Sequence, residues 1–244
     1  MINENEVRKF IKMLPELEEE HAYLLMLICR SRFMKQMRDA KIRDTVLEKS
    51  VIIWGEKWRD ALFRRIKRFS ILAENADKLY VVKSNYVPPS ATGIMIVLNQ
   101  ARIKNAVVDF LNEVTKIVIL ENRLEAIGRL ENIWFGSLHK RTKKRFHVLD
   151  VDTMDAEILS EIEAILEKYG GWWAKIETFR GVHYILDLTA IDVRRFFPEF
   201  VRKEYPKLQE KYRDEEGKPL IEYKKEALEP VPGTMYGGKL IRLL

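Results

Sequence analysis

Two short segments about thirty residues apart carry polar groups that an ordinary buried strand does not need. The first is Phe146-His147-Val148-Leu149-Asp150-Val151-Asp152, an apolar strand pattern that ends in two acids. Residues two apart in a strand point to one face, so both carboxylates converge on one spot. Like charges held that close raise each other's pKa unless a cation lies between them. A hard divalent ion such as Mg²⁺ or Mn²⁺ suits oxygen ligands of this kind. Asp-X-Asp also occurs in calcium loops and glycosyltransferases, and solvated acids also close plain strands.

The second segment is Thr178-Phe179-Arg180-Gly181-Val182-His183-Tyr184-Ile185-Leu186. Arg180 offers a planar fork of donors to phosphate oxygens. Gly181 permits a tight backbone path and lets a phosphate approach main-chain N–H groups. His183 opens the next strand, where an imidazole can donate to a phosphate. The plainer alternative is a hairpin whose half-buried histidine bonds a carbonyl. A divalent-metal site beside a triphosphate site is the equipment of nucleotidyl transfer.

The elements that must position these residues follow from periodicity. Residues 1–77 read as a helical N-terminal domain: Val7, Phe10, Ile11 and Leu14 keep a 3.6 period, and further helices are expected over 18–40 and 44–75. Arg30, Arg32, Lys35, Arg38, Arg59, Arg64, Arg65, Lys67 and Arg68 then form basic faces, either solvated or set against phosphates. After residue 77 the pattern changes. Gly93–Leu98, Asn132–Leu138, Arg145–Val151, Trp173–Glu177, Val182–Leu188 and Lys239–Leu243 read as strands. Residues 101–116, 154–169 and 190–213 read as helices, and His139 to Lys144 as a basic hairpin. The fold class expected is α+β, with a mostly antiparallel sheet over 78–244 and helices on one of its faces.

The two segments in combination resemble the archaeo-eukaryotic primase superfamily. That family includes primase small subunits, primase–polymerases of plasmids and viruses, and polymerase domains of bacterial end-joining ligases. The resemblance covers roughly residues 79–244, and the N-terminus compares only loosely with small archaeal mobile-element primases. Pro232-Gly233-Thr234 is similar to the turn that follows the third acidic ligand in the family. Asn99-Gln100-Ala101-Arg102 is similar to an Asn-Pro-Arg element, and Ser137 to a small polar residue ahead of the metal strand. The resemblance implies an RRM-like core and a template-dependent DNA primase or polymerase. Asp150, Asp152 and Glu222 would hold Mg²⁺ or Mn²⁺, and Thr178, Arg180, His183 and Lys239 would hold an NTP or dNTP. Asn99, Arg102, Ser137, Lys140, Arg141, Lys143 and Lys144 would meet a single-stranded DNA template. A helicase or large primase subunit is an implied partner. Glu222 departs from the family's usual Asp and lies closer to the Pro-Gly turn, with Glu226 and Glu229 as competitors.

Composition bounds the reading. The chain has 244 residues, 47% hydrophobic, with net charge +6, enough for one large or two small cores. A lone cysteine, Cys29, excludes a disulfide framework and a Cys-rich zinc module. No apolar run is long enough to span a bilayer, so a cytoplasmic protein without a membrane partner is expected. Three rival functions stay open: a non-catalytic nucleic-acid-binding accessory protein of replication, a template-independent nucleotidyltransferase, and a plain interaction protein. Rolling-circle initiators need a paired-histidine metal cluster, which His183 lacks.

Overall fold

The computed structural model describes residues 2–34, 43–121 and 124–244. The fold is α+β, built on two antiparallel sheets with helices outside them. Helix α1 (Glu4–Met13) opens the chain, its Asn3 cap accepting from the Glu6 amide. Strands β1 (His21–Cys29) and β2 (Thr45–Ile53) follow, then helix α2 (Trp58–Glu74). A two-strand ribbon, β3 (Val81–Val82) and β4 (Asn85–Tyr86), leads into the long β5 (Thr92–Arg102). β1 pairs with both β2 and β5.

The expectation of a helical N-terminal domain over 1–77 fails at 21–29 and 45–53, which are strands. Ala22 to Cys29 are all buried. An apolar run with no polar interval has no helical period to read, and its length suits a central strand covered on both faces. Because β1 pairs with β5, residues on both sides of the expected boundary share one sheet and one core. Lys35 and Arg38 lie outside the described residues.

After β5 come α3 (Ile103–Val114) and α4 (Leu130–Lys140). Asn132–Leu138, expected as a strand, is therefore helical, and the expected basic hairpin is instead a helix end and turn. The second sheet begins with β6 (Phe146–Val151), followed by α5 (Ala156–Glu167), β7 (Ala174–Glu177) and β8 (Val182–Asp187). A helical segment spans Val193–Arg195, wide turns over Phe196–Glu204, and Tyr205–Lys211. The chain ends with β9 (Ile221–Lys224), β10 (Leu228–Pro230), β11 (Met235–Tyr236), β12 (Lys239–Leu240) and β13 (Arg242–Leu243).

The first sheet runs β12-β11-β5-β1-β2, with β10 also on β5; the second runs β13-β7-β8-β6-β9. Alternation sorts the second sheet's residues. Phe146, Val148, Ala174, Ile176 and Ile185 enter a core shared with the first sheet, α1 and α2. Leu149, Val151, Val182, Tyr184 and Leu186 enter another core under α5 and the Phe196–Phe200 turns. The inner face of this sheet is thus covered by the first sheet, not left free for substrate. Only its end opens.

Candidate active site

In the second sheet Asp150 lies opposite His183 on β8 and opposite Glu222 on β9. Cross-strand partners share a face, so three ionisable side chains crowd the end of β6. Lys224, two residues beyond Glu222, joins them. With Asp152 they line a cleft of about 570 Å³. Arg30 and Arg32, which follow β1, contribute to its lining, as do Pro230 and Tyr236.

His183 is held from both sides. Glu229 on β10, 1% exposed, places Oε2 2.5 Å from His183 Nδ1. His183 Nε2 lies 3.0 Å from Asp150 Oδ1. That pair closes the second ionic contact of the imidazole. Burial opposes a charged imidazole, but the Glu229 and Asp150 carboxylates outweigh it and push the His183 pKa up to about 10. At neutral pH His183 is a cation and a donor, not a proton acceptor.

The charge has a consequence for stability. A histidine raised from 6.5 to about 10 on folding stabilises the native state fully below pH 6.5. That contribution disappears as pH climbs through 10. The urea midpoint should therefore fall between pH 7 and 10, and His183→Gln should flatten that decline. A wild-type midpoint independent of pH over this window contradicts the assignment.

Burial favours a neutral Asp150, yet His183 and Lys224 beside it hold its carboxyl well below the usual range. Lys224 Nζ lies 2.5 Å from Asp150 Oδ2 and 3.2 Å from Glu222 Oε2. Partial burial and the charge of Asp150 hold the Asp152 carboxyl above its ordinary value. Asp152 is thus the acid that gains most from an added cation.

A divalent ion fits part of the expected ligand set. Asp150 Oδ1, now facing His183, and the repelled Asp152 carboxylate would be the two oxygen ligands. Mg²⁺ is commonly held by one or two carboxylates with waters and substrate phosphates completing its shell. Glu222 fits less well, because the Lys224 ammonium stands between it and Asp150. Among the described residues no three His, Cys, Asp or Glu side chains form a metal-holding group.

Gly181 has a different role from the one read in the sequence. A Cβ there would lie 1.9 Å from the Val151 carbonyl oxygen and 2.6 Å from the Thr153 amide. The glycine lets the β7–β8 turn press against the backbone that carries Asp152. Gly181→Ala must push that backbone away, at a cost of about 1–3 kcal/mol. Urea unfolding should show the loss, and a fully stable variant would remove this account of Gly181.

Of the expected phosphate ligands, Arg180 lines the cleft, exposed and without an ion pair among the described residues. The buried Thr178 hydroxyl is engaged instead with its own turn, donating to the Gly181 carbonyl at 3.2 Å. Lys239 is held by Glu177 at 2.7 Å and by the Thr178 carbonyl at 2.9 Å, so it is not free to grip a triphosphate.

The expected template contacts separate similarly. Asn99 is buried and accepts from the Arg145 and Phe146 amides while donating to the Phe146 carbonyl. It ties β5 to β6 and, at 2% exposed, lies out of reach of nucleic acid. Ser137 is buried and donates to the Ile133 carbonyl one turn back in α4. Arg141 is bound through two nitrogens to Asp109, at 2.5 and 2.6 Å. Lys143 pairs with Glu18, and Lys144 with Glu226 at 3.4 Å. Arg102 and Lys140 are exposed and form no ion pair among the described residues.

Sequence reasoning missed Lys224, the contact of Glu229 with His183, and the placement of Arg30 and Arg32. Lys224 was open to discovery, since Glu222 and Lys224 alternate on one strand face. Glu229 was not, because its partner is 46 residues away on another sheet. Arg30 and Arg32 were read in a helix over 18–40, whereas they follow the strand β1. Arg32 donates to the Tyr236 hydroxyl at 3.2 Å, which steadies it at the rim. Set against known proteins, the chain matches no family model, no curated protein and no solved structure.

Proposed function

We propose that this cleft catalyses template-dependent nucleotidyl transfer of the primase–polymerase type, on an RRM-like core formed by the second sheet. The observation that carries the reading is the register that sets Asp150 opposite His183, with Asp152 beyond it, in a cleft lined by Arg30, Arg32, Arg180 and Lys225. Asp150 and Asp152 would hold Mg²⁺ or Mn²⁺, which when bound supplies charge neutralisation for a triphosphate and acidifies an attacking hydroxyl. Arg180 grips phosphate oxygens through its fork. The His183 imidazolium, fixed by Glu229, adds a charge-assisted donor. Arg30, Arg32 and Lys225 line the cleft as well and attract the single-stranded DNA template and its phosphates. Catalysis of this kind rests on positioning and charge stabilisation. A helicase or large primase subunit is a compatible partner. Among the described residues no helix is long and apolar enough to cross a membrane.

One observation favours a second reading. Lys224 bridges Asp150 and Glu222, where a third ligand would stand. A nucleic-acid-binding accessory protein without turnover keeps such a bridge at no loss. The test is purified protein with a single-stranded template and labelled dNTPs or NTPs, with and without primer, in Mg²⁺ or Mn²⁺. Template-directed incorporation supports the proposal. Template binding with neither metal-dependent nucleotide affinity nor incorporation supports the accessory role. Incorporation indifferent to template identifies a template-independent transferase.

A further inference from the structure

β2 is the outer strand of the first sheet, so one of its edges is unpaired among the described residues. Ser50 to Ile53, at the end of that strand, carry no charge, no proline and no bulge. Such features ordinarily protect an exposed edge. Ile53 is 57% exposed, and Trp54, next along the chain, is 40% exposed. Beside this edge lies a groove of about 380 Å³. Val51 and Ile53 line it from the strand, and Ala61, Arg64, Arg65 and Arg68 from α2.

Those helix positions are spaced i, i+3, i+4 and i+7, so they form one stripe along the groove. Arg59 and Lys67 on the same helix are neutralised by Glu16 at 2.5 Å and Glu4 at 2.8 Å. Arg64, Arg65 and Arg68 form no ion pair among the described residues. Three unneutralised guanidinium groups therefore flank an unpaired, uncharged strand edge.

We propose that this edge receives an extended acidic segment of a partner protein, added as a further strand beside β2. Main-chain hydrogen bonds to the β2 edge supply affinity, and alternate carboxylates of the segment meet the arginine stripe. A second copy of this chain suits the edge poorly. Antiparallel β2–β2 pairing would place both α2 helices on one face of the joined sheet, with the arginine stripes facing each other. A nucleic-acid strand would use the arginines but leave the strand's N–H and C=O groups unmatched.

The test uses a labelled nine-residue peptide of alternating valine and glutamate. Its controls are the same peptide with lysine for glutamate, the same peptide with alternate amides N-methylated, and a twelve-nucleotide oligothymidine. Only the unmodified acidic peptide should bind and slow amide exchange at Ser50 to Ile53. Combined R64E, R65E and R68E should weaken it about tenfold or more, and added salt should weaken the wild-type complex in the same direction. The proposal is overturned if the acidic peptide fails to bind, if N-methylation leaves binding intact, or if oligothymidine alone occupies the groove. The groove is separate from the cleft, so either outcome leaves the catalytic proposal standing.

Discussion

Replacing Asp150 and Asp152 together by alanine should lower nucleotide incorporation by about 10³-fold or more, or roughly 4 kcal/mol of transition-state stabilisation. The acids act as a unit, so the double variant should be little worse than either single one. Removing them also takes one of two carboxylate partners from His183 and from Lys224 in a partly buried site, leaving Glu229 and Glu222. The folded fraction must therefore be measured beside activity, by circular dichroism and urea unfolding. Oligonucleotide binding should survive, because Arg30, Arg32 and Arg180 remain. A folded double variant that still extends a primer at the wild-type rate removes the carboxylates from the mechanism.

The second large effect is expected at Glu229. It is the acid buried deepest beside the cleft, 1% exposed, and it reaches from the first sheet to a histidine of the second. Breaking one side of a buried ion pair costs about 3–5 kcal/mol where the other charge is left uncompensated, and with Asp150 still beside His183 the lower end of that range applies. Glu229→Ala should destabilise by about that much in urea. Glu229→Gln retains a hydrogen-bond acceptor and should cost less. Both should bring the alkaline loss of stability to lower pH, because one of the carboxylates that keep His183 charged is gone. A Glu229→Ala protein within about 0.5 kcal/mol of wild type would show that the contact orients nothing.

The helix α5, the β5-to-α3 junction and the strands β6 and β8 were legible because each carries a clean period, and α5 also has a side-chain cap. Asp155 accepts from the Glu157 and Ile158 amides, and Gly170-Gly171 ends the helical run. The convergence of Asp150 and His183 followed from alternation once both strands were drawn in one sheet. β1 was misread because eight buried apolar residues in succession contain no polar marker of either period. α4 was misread for the reverse reason. Ile133, Trp134 and Phe135 read as a strand, but Phe110 of α3 meets Trp134 edge-on and Leu138 is buried, so packing made the run helical. The fates of Asn99, Ser137, Thr178 and Lys239 share one cause. Their spacing suited substrate, whereas backbone groups and acids brought close by folding claimed their hydrogen bonds.

The most direct measurement is a crystal of the protein soaked with Mn²⁺ and a non-hydrolysable nucleoside triphosphate, examined for anomalous scattering. Manganese should lie between the carboxylates of Asp150 and Asp152, with the triphosphate on Arg180 and the Nε2 side of His183. A triphosphate bound elsewhere, or a Lys224 bridge that stays closed with no manganese beside it, contradicts the account.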